Sequence, residues 1–218
     1  MTSLSAKKVK DEQRGYLIFN GVEWVFVNRY TYTNRIKKQE IEKIVLVLES
    51  PHKDEYDTNY DPIRPANGAT GVAIESYIFK YAQLWNLQKN TDYEVWLVNA
   101  VQIQASCYHE LNKLNLRYSQ YLLNKIKYYV LNSIFDNNDL ITRISSISPS
   151  IVVNCCTITP DAFITKSNKI NDIYELVQSA IEKGSGKPPK YVIYKCYHPS
   201  SPFWKEIKIN PQHSPKCP

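Results

Sequence analysis

The sequence predicts a three-layer α/β/α sandwich around a mostly parallel central sheet, on three observations. Apolar, β-branched runs recur at residues 41–48, 93–101, 151–155 and 191–196. Segments with helical apolar spacing separate them, and that alternation places helices on both faces of a parallel sheet. The first run is almost unbroken in its apolar character, as a strand covered on both faces requires.

The elements follow in order. Residues 1–14 are polar and charged and are expected to be a flexible N-terminus. Residues 16–19 and 22–27 flank Asn20-Gly21, a dipeptide suited to a type I′ turn, and predict an N-terminal β-hairpin. The central strand 41–48 leads into a loop rich in Asp, Asn and Pro. Val72, Ile74, Tyr77, Ile78, Tyr81 and Leu84 then predict a helix over 71–84, launched by Gly68-Ala69-Thr70-Gly71. After the strand 93–101, Tyr118, Tyr121, Leu122, Ile126, Tyr129, Val130 and Ile134 form an apolar stripe that predicts a helix over 114–135, read as core packing. The strand 151–155 precedes Thr159-Pro160, an N-cap with proline in the first turn of a helix. A further helix near 172–182 ends in the breaker loop 184–189, and 191–196 is the last strand.

A chain of 218 residues, 43% hydrophobic, suffices for one sizeable core, so a single domain over 1–218 is expected, as a monomer. The net charge of +6 is compatible with an anionic partner without establishing one. The five cysteines contain no C-x-x-C pair, and Cys155-Cys156 lies in an apolar run, the pattern of a buried reduced strand. No 18-residue apolar stretch occurs, and the N-terminus lacks the apolar centre of a secretion signal. A soluble, cytoplasmic protein with no membrane partner is expected.

Two distant segments carry the chemistry. Leu46-Val47-Leu48-Glu49-Ser50-Pro51-His52 and Cys196-Tyr197-His198-Pro199-Ser200-Ser201-Pro202 are each a strand running into a Pro-stiffened polar loop. Loops at the carboxyl ends of neighbouring strands converge on one crevice, so a carboxylate and an imidazole about 150 residues apart can face one ligand. Glu49 and His198 are therefore a candidate catalytic pair.

The order of these loops resembles the uracil-DNA glycosylase superfamily, nearest the branch whose first motif is Gly-Glu-Ala-Pro-Gly. Leu48-Glu49-Ser50-Pro51-His52 is similar to that motif, Arg64-Pro65 and Gly68-Ala69-Thr70-Gly71 to its next segment, and Tyr197-His198-Pro199-Ser200 to its His-Pro-Ser motif. The strand 96–101 resembles the one carrying the Asn that reads the flipped base, here Asn99, and 148–154 resembles the family's Pro-x-x-Ile-Val strand. The likeness spans about residues 41–205. It implies the superfamily's fold, no cofactor, and DNA as partner, single- or double-stranded with one base flipped. Ser50 stands where the classical enzymes have a water-activating Asp, which passes that role to Glu49 or an acid of the following loop. His52 stands where they have the Tyr that excludes the thymine methyl, so strict selectivity for uracil is not implied. The branch's iron–sulfur cysteines have no counterpart pattern, and no cluster or other metal is expected.

Breaking an N-glycosidic bond builds positive charge on the sugar and negative charge on the base, so a site needs an anion near the first and a donor near the second. Glu49 and His198 suit these roles, with Asp61 of the acidic loop 52–67 as a second carboxylate near the sugar. Asn99, His52 and Ser50 are the candidate base-binding residues. Ser200 and Ser201 are candidate phosphate donors, Phe203 and Trp204 candidate wedges, and Lys53, Arg64, Lys166 and Lys205 candidate backbone contacts. Each has a plainer alternative: a surface or capping carboxylate for Glu49, a loop histidine for His198, a turn amide for Asn99, a closed core edge for Phe203 and Trp204, solvated charge for the cations. The expected activity is excision of a modified or damaged pyrimidine to leave an abasic site. A hypermodified phage base would make the protein an antiviral defence factor, and uracil excision in repair is the alternative. A catalytically silent nucleic-acid-binding module of the same fold is the alternative from another class.

Overall fold

A computed structural model of the chain describes residues 7–32, 41–105, 120–157 and 171–205. It is a mixed α/β structure on a six-stranded sheet of order β2-β1-β4-β3-β5-β6, formed by β1 (Glu12–Phe19), β2 (Trp24–Asn28), β3 (Ile41–Leu48), β4 (Asp92–Asn99), β5 (Ile151–Asn154) and β6 (Val192–Lys195). The block β4-β3-β5-β6 is parallel, while β1 runs antiparallel to both β2 and β4. Residues 44–48 of β3 are all buried because both faces of this strand are covered.

Alternate β3 side chains feed two cores. Val45 and Val47 pack with α2 (Gln120–Ile134), α3 (Asn137–Ile147) and α4 (Ile173–Ser185), through residues such as Leu131, Ile144 and Val177. Ile44, Leu46 and Leu48 pack on the other face with α1 (Ala69–Tyr77), the 3-10 turn Ile78–Tyr81 and α5 (Pro202–Lys205), through Ile74, Tyr81 and Trp204. Helices thus lie on both faces of the sheet.

Several elements depart from expectation. The predicted two-residue hairpin turn is a four-residue loop in which the Asn20 side chain accepts from the backbone N–H groups of Val22 and Glu23, at 3.0 Å each, with strand pairing resuming at Phe19–Trp24. A side-chain acceptor satisfies the turn that the primed geometry would have closed. The N-terminal stretch is tied down from Lys7 onward: Val9 is buried and donates to the Gln102 carbonyl, and Asp11 meets Arg143 at 2.9 Å. Arg14 is buried against Glu75. The expected flexibility assumed that polar residues have no partners, and here half-buried ion pairs supply them.

In α2 the buried side is Leu123, Tyr128 and Leu131, whereas Tyr129 and Ile134 of the predicted stripe are exposed. The helix carries two apolar stripes, and the one beside Lys127 faces the sheet. Helix α3 was not foreseen. It is capped by Asp136, whose carboxylate accepts from Asn138 and Asp139, and buries Leu140, Ile144 and Ile147 at helical spacing. The helix expected over 71–84 begins at Ala69 and gives way to a 3-10 turn at Ile78. The Thr159-Pro160 cap and residues 114–119 lie outside the described residues.

The sheet order places the chemistry. From β3 the chain crosses to β4 on one side and then to β5 and β6 on the other, which makes the carboxyl end of β3 a topological switch point where connections diverge and leave a crevice. Helix α1 closes one wall of it. Gly71 permits the close approach, since a Cβ there would stand 1.9 Å from the Ala66 carbonyl oxygen.

Candidate functional site

A cavity of about 350 Å³ opens at that switch point. Its lining draws on the β3 exit (Leu48 to His52), the acidic loop (Asp54, Glu55), the start of α1 (Gly68 to Thr70), Lys127 of α2, Thr157 after β5, and His198 and Ser200 after β6. Hydrogen bonds that continue the sheet beyond its strands hold the exits: Ala100 and Val101 donate to the Leu48 and Glu49 carbonyls at 2.7 and 3.0 Å, and Cys196 donates to Asn154 at 2.9 Å.

Glu49 is 4% exposed, directly after β3. One carboxylate oxygen forms an ion pair with Lys127, and Oε2 is buried without a partner. A buried carboxylate with an open acceptor is costly unless a ligand or water engages it.

His198 is partly buried. Its Nδ1 accepts from the Ser200 backbone N–H at 3.3 Å and faces the Ser200 hydroxyl at 2.7 Å. An accepting Nδ1 assigns the proton to Nε2. Burial lowers the pKa of the ring; the nearby Glu49 charge opposes that shift and Lys127 adds to it. The result is a neutral imidazole with one N–H to donate.

Glu55, a further member of the acidic loop, is also 4% exposed and lines the cavity. Its carboxylate accepts from the His52 backbone N–H at 3.1 Å and from Asn99 Nδ2 at 3.2 Å. Burial nevertheless pushes its pKa up from 4.5 to about 7, with these hydrogen bonds and the nearby Ala66 backbone opposing. The folded state therefore holds the Glu55 proton more tightly than the unfolded chain does. That contribution to stability is complete below pH 4.5 and is lost as pH rises through about 7. The span corresponds to about 3 kcal/mol. Urea unfolding of the wild type followed from pH 4.5 to 8 is expected to show a loss of that order, absent from Glu55→Gln; parallel pH curves for the two proteins would contradict it.

The structure brings together Glu49, Ser50, His52, His198 and Ser200 around one cavity. His52 Nδ1 lies 3.2 Å from Asp54 Oδ2 at the rim. Other expected residues go elsewhere. Asp61 does not line the cavity: its side chain is 51% exposed and paired with Lys7, because a turn capped by Asp57 carries it outward. Asn99 is 1% exposed and lies behind Glu55, outside the cavity lining, with its donor committed to that carboxylate and Oδ1 unpartnered. Asn154 is a structural amide, bonded to Tyr174, Gln178 and Cys156. Trp204 is fully buried against Tyr81 and so out of reach of a nucleic acid, whereas Phe203 is 43% exposed beside Tyr197. Ser201 Oγ accepts from the Phe203 N–H, Arg64 holds Asn67, Lys53 is exposed near Asp54, and Lys205 lies over the Tyr77 ring. Lys166 lies outside the described residues.

Lys127 is the residue that sequence reasoning missed, and Glu55 was read only as one of the acids of the loop 52–67, with Asp61 singled out in its place. The Cys196 thiol, two residues before His198, is pushed up to about 12 by burial, which suits packing rather than nucleophilic attack. Among the described residues no group of three His, Cys, Asp or Glu side chains is placed to hold a metal ion, and no helix is long and apolar enough to cross a membrane. No protein-family model, no curated protein and no solved structure matches the chain.

Proposed function

We propose that this cavity hydrolyses the N-glycosidic bond of a modified or damaged pyrimidine extruded from DNA. The observation that carries the reading is the convergence of Glu49, with an open buried oxygen, and neutral His198 on one cavity at the sheet's switch point. The finer fold assignment, to the uracil-DNA glycosylase superfamily, is supported by the same convergence: three of the segments that resemble the family meet there, at Leu48 to His52, Gly68 to Thr70, and His198 with Ser200.

The chemistry follows from these groups. The bonding pair of the C–N bond leaves with the base, and the His198 Nε2–H donates to the base oxygen on which that charge gathers. The Glu49 carboxylate stabilises the sugar cation and orients a water with Oε2. Attack of that water at the sugar carbon passes its proton to Glu49, and the departing base anion takes up that proton, giving free base and an abasic sugar without a covalent enzyme intermediate. In this reading Phe203, which is exposed beside the His198 segment, fills the gap left in the stack. Free buried Cys155 and Cys156 fit a reducing cytoplasm.

The Lys127–Glu49 ion pair favours a second reading, a binding module in which the carboxylate is neutralised and turns over nothing. One experiment separates the two: base release and alkali-sensitive strand scission on DNAs containing uracil, deaminated purines, thymine mismatches, or phage-type substituted cytosines. Release from one class, abolished by His198→Ala with DNA binding retained, is the expected result. Binding without release from any substrate would overturn the enzyme in favour of the module.

A further inference from the structure

We propose that Lys127 is a positioning residue of the reaction: its ammonium keeps the buried Glu49 carboxylate ionised and fixes one of its oxygens, leaving Oε2 open for the water. The inference rests on the glycosylase reading and deepens it, because it makes the Lys127–Glu49 pair a working part of the site rather than a neutralising contact.

The placement of the lysine carries it. Leu123, Lys127 and Leu131 follow one another at four-residue spacing, so Lys127 lies on the core-facing stripe of α2 between two buried leucines. Its side chain is 27% exposed, lines the cavity, pairs with Glu49 and holds Nζ 5.4 Å from the centroid of the Tyr128 ring. Stability does not account for a charge at that place. Taking two ions out of water costs about as much as their attraction contributes, so a leucine or methionine continuing the stripe would pack as well or better.

The surroundings of Glu49 decide what the lysine does. The groups that face it are Tyr128 beside Lys127 on α2, Cys156 after β5, and His198 after β6, with Asp54 and Glu55 lining the same cavity. None of these supplies a positive charge: His198 is a neutral imidazole, burial keeps the protons on Tyr128 and Cys156, and the other two are acids. His52, at the rim, faces Asp54. Lys127 is the only lysine or arginine among the described residues that line the cavity. Burial and neighbouring acids favour the protonated form of a carboxyl group. A protonated Glu49 could neither stabilise a sugar cation nor take a proton from water. An ammonium in contact opposes both effects, and it engages one oxygen only, so the other stays free. Lys127 touches no reacting atom and acts through Glu49.

Lys127→Met, which keeps the stem and removes the charge, tests the inference beside Lys127→Arg, which keeps the charge. Single-turnover base release is followed against pH on duplexes carrying one uracil or one 5-hydroxymethylcytosine, and binding is measured on their 2′-fluoro counterparts, which resist cleavage. In Lys127→Met the acid limb of the rate profile is expected to move to higher pH by about one to three units, the range over which an adjacent opposite charge shifts a carboxyl group. Below the limb that is a loss of about tenfold in rate per unit. Affinity for the uncleaved duplex is expected to change little, and Lys127→Arg to restore the limb. Lys127→Gln, polar and uncharged, takes the place of Lys127→Met should that protein fail to fold. A structural ion pair would lower the unfolding midpoint without moving the limb, and a phosphate contact would weaken binding without moving it, so a limb that stays in place overturns the inference. So does an uncharged variant faster than the wild type, which would make the lysine a silencer of Glu49. The isotope-labelled carboxyl carbon of Glu49, assigned by its absence from Glu49→Gln, is titrated by NMR without DNA, and its midpoint is expected to rise in Lys127→Met. An unmoved midpoint would overturn the inference whatever the activity. No base release by the wild type from either duplex, with that rise present, would overturn the glycosylase reading and leave the charge-holding pair in place.

Discussion

Under the proposed glycosylase reaction, replacing Glu49 by Gln is expected to slow base release about a thousandfold, with DNA affinity little changed. The magnitude follows from the charge that the carboxylate opposes. Unit charges about 4 Å apart at an effective dielectric near 20 interact by about 4 kcal/mol, and an attraction present only in the transition state lowers the barrier by that amount. Gln keeps the shape and one acceptor but removes the charge, so the loss falls on turnover rather than binding. The fold is expected to survive, because the partner left behind, Lys127, is 27% exposed and its ammonium can turn to water. Single-turnover rates and binding of an uncleavable duplex check the two halves separately. An unchanged rate would move the sugar-facing role away from Glu49, and a collapse in affinity alone would make it a ground-state contact.

The contrast between Glu49 and Glu55 shows how far this site was legible in the sequence. Glu49 follows the apolar run Ile44 to Leu48 of β3, and a polar residue at that place is positioned by the sheet itself. His198 was legible for the same reason, in the loop that leaves β6 just beyond Lys195. Glu55 stands among Asp54, Asp57 and Asp61, and nothing local distinguishes the one carboxylate that turns inward. The difference arises from a single 3-10 turn at Lys53–Glu55, which buries Glu55 while the Asp57-capped turn carries Asp61 out to Lys7. Lys127 was hidden by a competing periodicity: the stripe through Tyr129 and Ile134 is also apolar, and the face that carries the lysine is the one that buries Leu123, Tyr128 and Leu131 and pairs Lys127 with Glu49. The central strands β3 and β5 were legible because burial on both faces gives the runs Ile44 to Leu48 and Ile151 to Val153 no polar interruption. Their spatial order was not, since pairing partners depend on crossovers rather than on any run of residues.

Trp204→Ala is expected to cost about 3–5 kcal/mol of stability, the range for deleting a fully buried large aromatic. Trp204 is 0% exposed, its ring is stacked 4.4 Å from that of Tyr81, and its Nε1 donates to the Ala73 carbonyl at 3.3 Å. Tyr81 in turn donates its hydroxyl to the Trp204 carbonyl at 2.8 Å, so backbone and side chain are both fixed. Tyr81 is not free to fill the void, because it is itself held by that bond and by its stack on Trp85. The residue also anchors the far end of the segment that carries His198 and Ser200, so its loss should slow base release as well as lower the unfolding midpoint. Trp204→Phe, which keeps the stack and drops the Nε1 bond, is expected to cost only about 1 kcal/mol. Urea unfolding of the three proteins measures this directly. A wedge that enters DNA would give the opposite pattern, an unchanged midpoint with weakened duplex binding, and that result would return Trp204 to the nucleic-acid surface and take the anchor away from the His198 segment.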